Sequence, residues 1–340
     1  MESAIPAHLR CPRTRQPRVP EDYLPPYPSF VARHAASVER VVMAYFGVQA
    51  QGEAAACEAA LRDLGTAFAA ASGPGHWDRA RYTDEAGHAT VICAAYWDDP
   101  VRFEAWFAAC GRDWTRVPRV GVGTFTELLR PAVERYETLF SAPDRAEGIA
   151  TLGDGMSDTV VEHAYWGGAR DRIPASQTDP MAPRGELEIE RDGPRVVVRG
   201  QENLCLIRSG QDWSDTAAEE RHMFLHDVEP VLRAGMDFLR DGGLPIGCVA
   251  NRYVVVESAD GRPTEKSYGL SWWKSLAALE RWAESHPTHL AIFGAAMQYL
   301  SRLGPAARLR LYHEVTVARA EEQLFEYLNC HDRTGLLRAG

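Results

Sequence analysis

Hydrophobic residues in this chain fall into short apolar runs and into longer stretches with helical spacing. Runs rich in Val, Ile, Tyr and Phe are typical of strands, whereas apolar positions that recur every three or four residues are typical of helices. In the first half, the pattern predicts strand, helix, strand, helix, strand and strand, at residues 41–48, 53–71, 88–97, 100–113, 120–129 and 136–140. A turn at residues 83–87 is predicted to precede the second strand.

The second half repeats this order. It predicts a strand, a helix, a hairpin, a helix and a strand, at residues 203–209, 216–239, 248–257 with 266–273, 275–285 and 309–317. A further helix is predicted to begin near Pro287, with Ser285 or His286 as its N-cap. Residues 95–106 and 271–282 each place a Trp at a strand end and an apolar-Glu-x-Trp sequence on the next helix, which supports a duplication.

The repeated order predicts an α+β fold, in which two ferredoxin-like repeats are fused into a barrel of the dimeric α+β-barrel type. The repeats are expected at residues 37–150 and 201–340, with the Gly-, Asp- and Pro-rich residues 151–200 connecting them. Residues 1–36, rich in Pro and Arg, are predicted to form an extended arm that wraps the body or a second subunit; a disordered tail is the alternative. Such a barrel can hold a flat apolar cofactor between its sheet and its long helices.

Composition and charge exclude several classes of protein. Hydrophobic residues make up 45% of the 340 residues and charged residues 25%, as in an ordinary globular protein. The formal net charge of −10 argues against nucleic acid or an anionic membrane as partner, because an acidic surface offers them no counter-charge. No apolar run approaches the ~20 residues that span a bilayer. Since the N-terminus also lacks the features of a signal peptide, a cytoplasmic protein is expected.

The cysteines and one histidine pair offer no clear metal site. None of the seven cysteines forms a CxxC pair, so reduced thiols are expected rather than disulfides or a cysteine zinc site. His222 and His226 have the spacing of a helical metal pair. No glutamate follows His222 as in an HExxH motif, so both are expected to be exposed or structural.

A histidine on the last predicted helix is a stronger candidate for a ligand. From His289 onward, Phe293, Met297 and Leu300 recur at roughly helical spacing, so His289 shares their apolar face. A second histidine, His313, lies on the strand that follows. The two histidines have the arrangement that a buried haem or metal needs. A hydrogen-bonded core histidine is the commoner explanation of such spacing, and spacing alone does not distinguish the two.

Several segments in order along the chain carry a family resemblance. They lie at residues 1–5, 11–14, 41–43, 47–49, 163–172, 176–179, 207–213, 235–241, 280–290, 309–315 and 325–331. Their motifs include His-Pro-Thr-His at 286–289, Leu-Tyr-His-Glu at 311–314 and Ile-Arg-Ser-Gly-Gln-Asp-Trp at 207–213. Together they resemble the aldoxime dehydratases, haem enzymes that convert R–CH=N–OH to a nitrile and water. The family's fold is a fused ferredoxin-like α+β barrel.

The resemblance implies roles for individual residues. His289 matches the proximal ligand of haem b, and His313 matches the distal histidine. Ser209 matches the serine that hydrogen-bonds the oxime hydroxyl. Arg172 matches a distal arginine that assists catalysis, although Arg170 lies two positions earlier and leaves that assignment open. The two histidines must differ in role, because an iron with two protein ligands would have no open face for substrate.

The remaining implications are less specific. Glu137 and His163 fall at positions expected near the distal pocket. The resemblance also implies ferrous iron in the active form, an aldoxime as the small-molecule substrate and a homodimer. Residues 290–312 are a few residues longer than expected for close relatives. The sequence leaves open whether aryl-alkyl or aliphatic aldoximes are preferred.

Two other functions on the same barrel are alternatives. One is a haem peroxidase, in which His289 still binds iron and the distal group activates peroxide. The other is a non-enzymatic haem-binding protein in which His313 is structural.

Overall fold

The computed structural model describes residues 1–20, 22–52, 54–84, 86–163 and 168–340. Four parts of the predictions lie outside these residues: Glu21 in the predicted arm, Glu53 at the start of the first predicted helix, Glu85 in the predicted turn, and residues 164–167 of the 163–172 segment.

The strands and α-helices are numbered in chain order. The strands are β1 Ala32–Arg33, β2 Val42–Gln51, β3 His76–Thr83, β4 His88–Trp97, β5 Gly123–Leu129, β6 Tyr136–Phe140, β7 Gly155–Met156, β8 Glu188–Asp192, β9 Arg195–Arg199, β10 Leu204–Asp212, β11 Cys248–Glu257, β12 Pro263–Trp273, β13 Arg310–Ala318 and β14 Gln323–Leu328. The helices are α1 Ala54–Phe68, α2 Pro100–Trp106, α3 Gly168–Arg172, α4 Ala218–Met223, α5 Glu229–Gly242, α6 Leu276–Ser285 and α7 Pro287–Leu303.

Shorter helical turns join these elements. The 3₁₀ turns are Ala7–Leu9, Arg112–Thr115, Val133–Arg135, Gly148–Leu152, Pro174–Gln177, Leu244–Ile246, Gly304–Ala306, Ala320–Glu322 and Gly335–Ala339, and the π-helical turns are Phe107–Gly111 and Phe224–Val228.

Within the described residues, twelve strands form one antiparallel sheet in the order β6-β13-β10-β12-β11-β3-β4-β2-β5-β14-β9-β8, and β1 pairs with β7. The first-half strands β2 to β5 and the second-half strands β10 to β13 follow the same order, with the first strand of each half between the third and the fourth. The halves join where β3 pairs with β11.

The large sheet curls, so that strands far apart in its order meet across its inner face. The rings of Trp272 on β12 and Phe325 on β14 lie edge to face, with centroids 5.2 Å apart. Arg252 on β11 donates two hydrogen bonds of 2.6 Å to Glu127 on β5. The fold is therefore a mixed helix and strand architecture built on a curled antiparallel sheet, a half-barrel.

Side chains alternate between the two faces of each strand and so divide the core. On β2, Met43 and Tyr45 point into the inner core shared by both halves, whereas Phe46 packs under α1 and α2 on the outer face. On β10, Leu206 points inward and Cys205 packs outward under α5 and α6. Each half thus has its own hydrophobic layer between its part of the sheet and its helices.

Several predicted elements are confirmed, with the bounds of β4, β6 and β11 matching exactly. Six strands were missed, namely β1, β3, β7, β8, β9 and β14, and both β7 and the β8–β9 hairpin lie inside the predicted connection 151–200. The predicted helix 216–239 is wrong as a single helix, since a π-helical turn separates α4 from α5. Pro230 in the first turn of α5 lacks an N–H for a regular helical hydrogen bond, which explains the break. The predicted helix 100–113 ends at Trp106 and continues as irregular turns.

The first twenty residues pack against the segment that carries α3. The N–H of Ala4 donates to the Glu162 carboxylate at 2.8 Å. The N–H groups of Arg18 and Val19 donate to the Asp171 carboxylate, at 3.0 and 2.6 Å. The arm predicted at residues 1–36 therefore contacts the body of its own chain through these bonds.

The seven cysteines are free thiols, as predicted. Among the described residues, no helix combines the length and the apolar character that crossing a membrane requires.

Candidate active site

The pairing of β10 with β13 brings Ser209 beside His313. The two residues are direct cross-strand partners, and Gly269 on β12 and Leu139 on β6 are their outer neighbours. Val315, two residues beyond His313, packs in the layer under α5 and α6, so Ser209 and His313 share this outer face. A slip of one residue in either strand would turn its side chain, Ser209 or His313, into the inner core.

A buried polar network on the inner face holds this register. Arg208 and Glu314, the neighbours of Ser209 and His313 in sequence, form the adjacent cross-strand pair and point inward. Arg208 donates hydrogen bonds of 2.8 Å to Asp78 and to the Tyr96 hydroxyl, and Tyr96 donates at 2.6 Å to Glu314. Burial raises the pKa of Glu314. Arg208 also donates to the Tyr312 hydroxyl, and Glu314 accepts the N–H of Ile149 at 3.0 Å, so a shift of the strands would break several bonds to buried charged groups.

On the outer face, His313 meets an arginine and a carboxylate. His313 Nε2 lies 2.9 Å from Glu137 Oε1 and 3.0 Å from Arg172 Nη2. Arg172 Nε donates to Glu137 Oε2 at 2.6 Å, and Nη1 donates to the carbonyl of Glu162 at 2.7 Å. The Glu137 and Arg172 side chains are almost completely buried. Burial alone would raise the pKa of Glu137, but the charges of Arg172 and His313 outweigh it and lower that pKa.

This cluster can hold or release a proton at His313. The ring nitrogen Nε2 can donate to Glu137 when it carries a proton and can accept from Arg172 when it does not. Arg172 stays charged in either case, and the Glu137 carboxylate stabilises the protonated ring. A histidine with two such partners can act as a general acid and as a general base.

The two candidate arginines have different partners. Arg172 contacts Glu137 and His313, whereas Arg170 donates to both carboxylate oxygens of Glu280 on α6, at 2.9 and 2.7 Å. Only Arg172 of this pair therefore joins the His313 cluster among the described contacts.

His163 and Ser209 are less constrained. His163 Nδ1 lies 3.1 Å from the carbonyl of Tyr27. The pKa of His163 is lowered to about 4, chiefly by burial; the nearby charges of Arg172 and His313 also lower it, whereas the hydrogen bond to the Tyr27 carbonyl raises it. Ser209 is half-buried, and its hydroxyl has no hydrogen-bond partner among the residues that the structure describes. That hydroxyl is available to a ligand.

His289 lies in the first turn of α7, and the α6–α7 junction orients its ring. His289 Nδ1 lies 2.9 Å from the carbonyl of Ala283, so Nδ1 carries the proton and Nε2 has the lone pair. The Trp282 ring stands edge to face against the imidazole, with centroids 4.4 Å apart. Burial lowers the pKa of His289 to about 4, so the ring is neutral near pH 7. A neutral imidazole with its Nδ1–H engaged is the usual form of a metal-ligating histidine.

His286, the other histidine of this motif, has a structural role. Its Nδ1 accepts from the Thr288 hydroxyl at 2.9 Å and from the Thr288 N–H at 3.3 Å, which caps α7. Its ring stacks on Phe238. The Thr288 hydroxyl also accepts from Trp282 Nε1 at 3.0 Å, so one chain of bonds links the cap to the ring that packs on His289.

A separate cluster, Asp84 with His88 and His331, brings together three side chains that could hold a metal ion. His331 Nε2 lies 2.7 Å from Asp84, and its Nδ1 accepts the N–H of Arg333 at 3.2 Å. The proton is therefore on Nε2, where a metal would have to bind. The rings of His88 and His331 are stacked 4.4 Å apart, so their lone pairs do not converge. These contacts are better explained as an anchor for the segment after β14 than as a metal site. The sequence pattern does not predict the cluster, because His331 lies far from the other two members in the chain.

His222 and His226 are both exposed, as the sequence predicts. Their rings stack on each other with centroids 4.1 Å apart.

Known proteins align with this chain over nearly its whole length. The model of the family described as haem-containing dehydratase matches residues 44–336. An aliphatic aldoxime dehydratase of Pseudomonas chlororaphis is 45% identical over 348 aligned positions, which cover 99% of this chain and 98% of the relative. A phenylacetaldoxime dehydratase of Bacillus sp. (strain OxB-1) is 32% identical over 330 positions, which cover 94% and 93%.

Solved structures give the same result for the fold. The crystal structure of an aldoxime dehydratase superposes with a TM-score of 0.94 at 45% identity, covering all of this chain and 99% of the other. An aldoxime dehydratase crystallised with butyraldoxime superposes with a TM-score of 0.95 at 43% identity, covering 100% and 97%.

Proposed function

Since the chain belongs to the family of haem-containing dehydratases, we propose that it is an aldoxime dehydratase, which uses haem b with ferrous iron to convert R–CH=N–OH to a nitrile and water. His289 is the proposed proximal ligand, and His313, Ser209 and Arg172 are the proposed catalytic residues. Glu137 is proposed to act with them, and His163 to lie at the margin of the same pocket. The observation that carries this proposal is the His313–Glu137–Arg172 cluster, which joins an acid–base histidine to a permanent charge.

The residues of this chain fit haem. His289 is a neutral imidazole with its Nδ1–H bound to a carbonyl, the donor that haem iron takes from a globin or a peroxidase. Helix α7 is largely apolar, with Arg302 as its charged residue, yet Tyr299 alone among its residues is buried. Ile292 of α7 and Val315 of β13 belong to the same apolar layer, so the helix of His289 and the strand of His313 pack on one hydrophobic cluster. In the first half, aromatic rings such as Phe46 and Trp106 fill the corresponding layer.

When bound, haem would supply an iron centre able to hold the oxime and to donate electron density towards its N–O bond. The protein has to supply the proton transfers. His313 gives a proton to the departing oxygen, which leaves as water, and takes the proton from the substrate carbon as the triple bond forms. The protein therefore ends each turnover with the same number of protons.

Ser209 and Arg172 orient the bond that breaks. Ser209 pairs with His313 across the strands, and its hydroxyl would hydrogen-bond the oxime hydroxyl and align it with the acid. Arg172 offsets negative charge that develops on the oxygen, and Glu137 fixes Arg172 and the protonated form of His313. Arg170 is not assigned a catalytic role, because its guanidinium is engaged by Glu280.

We propose aliphatic rather than aryl-alkyl aldoximes as the preferred substrates. The support is the higher identity to relatives named aliphatic aldoxime dehydratases, 45% against 32% for the phenylacetaldoxime enzyme. Comparing kcat/KM for butyraldoxime and phenylacetaldoxime tests this preference, and a higher value for the aryl-alkyl substrate would contradict it.

The main experiment separates haem binding from chemistry. Purified protein is expected to show a Soret band that His289→Ala abolishes. Dithionite-reduced protein, mixed anaerobically with butyraldoxime, is expected to form the nitrile without peroxide. His313→Ala is expected to keep the Soret band and lose at least about 100-fold in kcat, whereas the exposed control His226→Ala keeps both. Turnover that requires peroxide would favour a peroxidase, and wild-type rates in His313→Ala would disprove the acid–base role.

We further propose that the two halves are fused ferredoxin-like repeats, at residues 37–150 and 201–340. Residues 1–36 would form the arm, and residues 151–200 would connect the repeats and contribute to the distal pocket. The support is the common strand order of the two halves. A homodimer and a cytoplasmic location stay predictions, and analytical ultracentrifugation tests the first of them.

A further inference from the structure

Three consecutive side chains of the short helix α3 bind three different parts of the protein. Arg172 binds the distal cluster through Glu137, and Asp171 accepts the N–H groups of the N-terminal arm. Arg170 binds Glu280 on α6. Neighbouring residues of a helix point about 100° apart, so one turn can engage three directions. Helix α3 is therefore a junction between the arm, the distal cluster and α6.

The bond to α6 leads directly to the proposed haem ligand. Glu280 lies two residues before Trp282, whose ring packs on His289, and three before Ala283, whose carbonyl holds His289 Nδ1. The side chains of Arg170 and Glu280 are 14% and 8% exposed, and both carboxylate oxygens accept from the guanidinium. A buried bidentate pair has one favoured geometry, because bending it leaves a charge without a partner.

In the proposed haem site, Arg172 belongs to the distal wall and His289 to the proximal wall, and the Arg170–Glu280 pair connects α3 of the first with α6 of the second. Arg18 from the arm adds a third charge at 3.3 Å from Glu280, but its side chain is 39% exposed and contributes less. Among the described contacts, Arg170 and Glu280 bind neither His313 on the distal wall nor His289 on the proximal wall. Its effect has to pass through α3 on one side and through α6 on the other.

We propose that Arg170 and Glu280 are positioning residues, a clasp that sets the separation of the distal Arg172–His313 wall and the proximal His289 wall of the haem pocket. This inference rests on the proposed function. Opening the clasp lets α3 move relative to α6, so the environment of both haem faces changes together.

The test uses holoprotein with Arg170→Met, Glu280→Gln and the double variant. The first measurement is the rate of haem transfer to excess apomyoglobin. The second is resonance Raman spectroscopy of the ferrous protein, where the iron–histidine stretch reports the proximal wall and the C–O stretch of the carbon monoxide complex reports the distal wall. The control is Arg199→Met, which breaks an exposed pair with Glu190 on the β8–β9 hairpin.

Arg170→Met and Glu280→Gln are each expected to speed haem loss at least about tenfold, because each breaks a buried pair. Both vibrations are expected to shift, and the double variant is expected to be no worse than the more severe single variant. Arg199→Met is expected to match wild type.

Faster unfolding of Arg170→Met with unchanged vibrations would overturn the clasp, since that result shows a purely structural role. Haem loss at the control rate would overturn it as well. If Arg170→Met fails to fold, the isosteric Glu280→Gln decides by the same criteria. Wild-type protein without a Soret band would overturn the proposed function and the clasp together, whereas normal wild-type haem with unaffected variants overturns the clasp alone.

Discussion

His163 makes the stability of this protein depend on pH in a window that can be calculated. Its pKa is lowered from 6.5 to about 4, first by burial and then by the charges of Arg172 and His313. The folded protein therefore keeps His163 neutral at pH values where the unfolded chain protonates it. Stability is unaffected above pH 6.5, falls as the pH drops from 6.5 towards 4, and changes no further below that.

The magnitude follows from the two pKa values. A fall from 6.5 to about 4 corresponds to about 3 kcal/mol once both states are protonated, and to about 2 kcal/mol between pH 7 and pH 4.5. Glutamine at position 163 keeps a donor for the Tyr27 carbonyl but does not titrate. When the pH falls from 7 to 4.5, His163→Gln is thus expected to lose about 2 kcal/mol less stability than wild type.

Urea unfolding followed by circular dichroism at pH 7.0 and pH 4.5 measures this difference directly. Other groups titrate equally in both proteins, so the comparison isolates one side chain. His226→Gln, which removes an exposed histidine, is the control and is expected to behave like wild type. If His163→Gln loses as much stability as wild type, His163 is not a buried neutral residue beside the Arg172 and His313 charges, and its proposed place near the distal pocket is wrong.

Three further substitutions test other contacts. Ser209→Ala is expected to lower kcat by about 10- to 100-fold in the nitrile assay and to change the free energy of unfolding by less than about 0.5 kcal/mol, because its hydroxyl has no described protein partner. Thr288→Val leaves Trp282 Nε1 without an acceptor and is expected to destabilise the protein by about 1–3 kcal/mol in thermal or urea unfolding; Thr288→Ser should restore it. Glu137→Gln removes one charge of a buried pair and is expected to cost about 3–5 kcal/mol in urea unfolding, whereas the exposed Glu190→Gln costs little.

The sequence predicts strand β4 from its apolar run and misses strand β3, where buried and half-buried positions are charged. Strand β4 has a continuous apolar run, and its predicted bounds are exact. Strand β3 carries Arg79 and Arg81, which bind Glu257 and Glu58 and so bury their stems beside carboxylates. An ion-paired strand has no hydrophobic period, so pattern reasoning cannot recognise it.

The candidate site, too, could be predicted only in part from the sequence. Spacing alone left His289 as either a ligand or a core residue, and the resemblance to a family assigned it, with His313, Ser209 and Arg172, a role. The partners that orient these groups carry no local signal. Glu280 binds Arg170 across 110 positions of sequence, and Glu137 binds Arg172 across 35. Only the fold brings such pairs together.

The pairing of β14 with β5 has a consequence for how the protein is made. As the ribosome synthesises the first half, β5 emerges with one edge unpaired, and its partner follows only after the whole second half. An exposed, apolar sheet edge is a site for aggregation in a nascent chain. We expect the polypeptide to depend on chaperones until β14 leaves the exit tunnel, and recombinant yield to respond more to slower translation and lower temperature than to improvements in core packing.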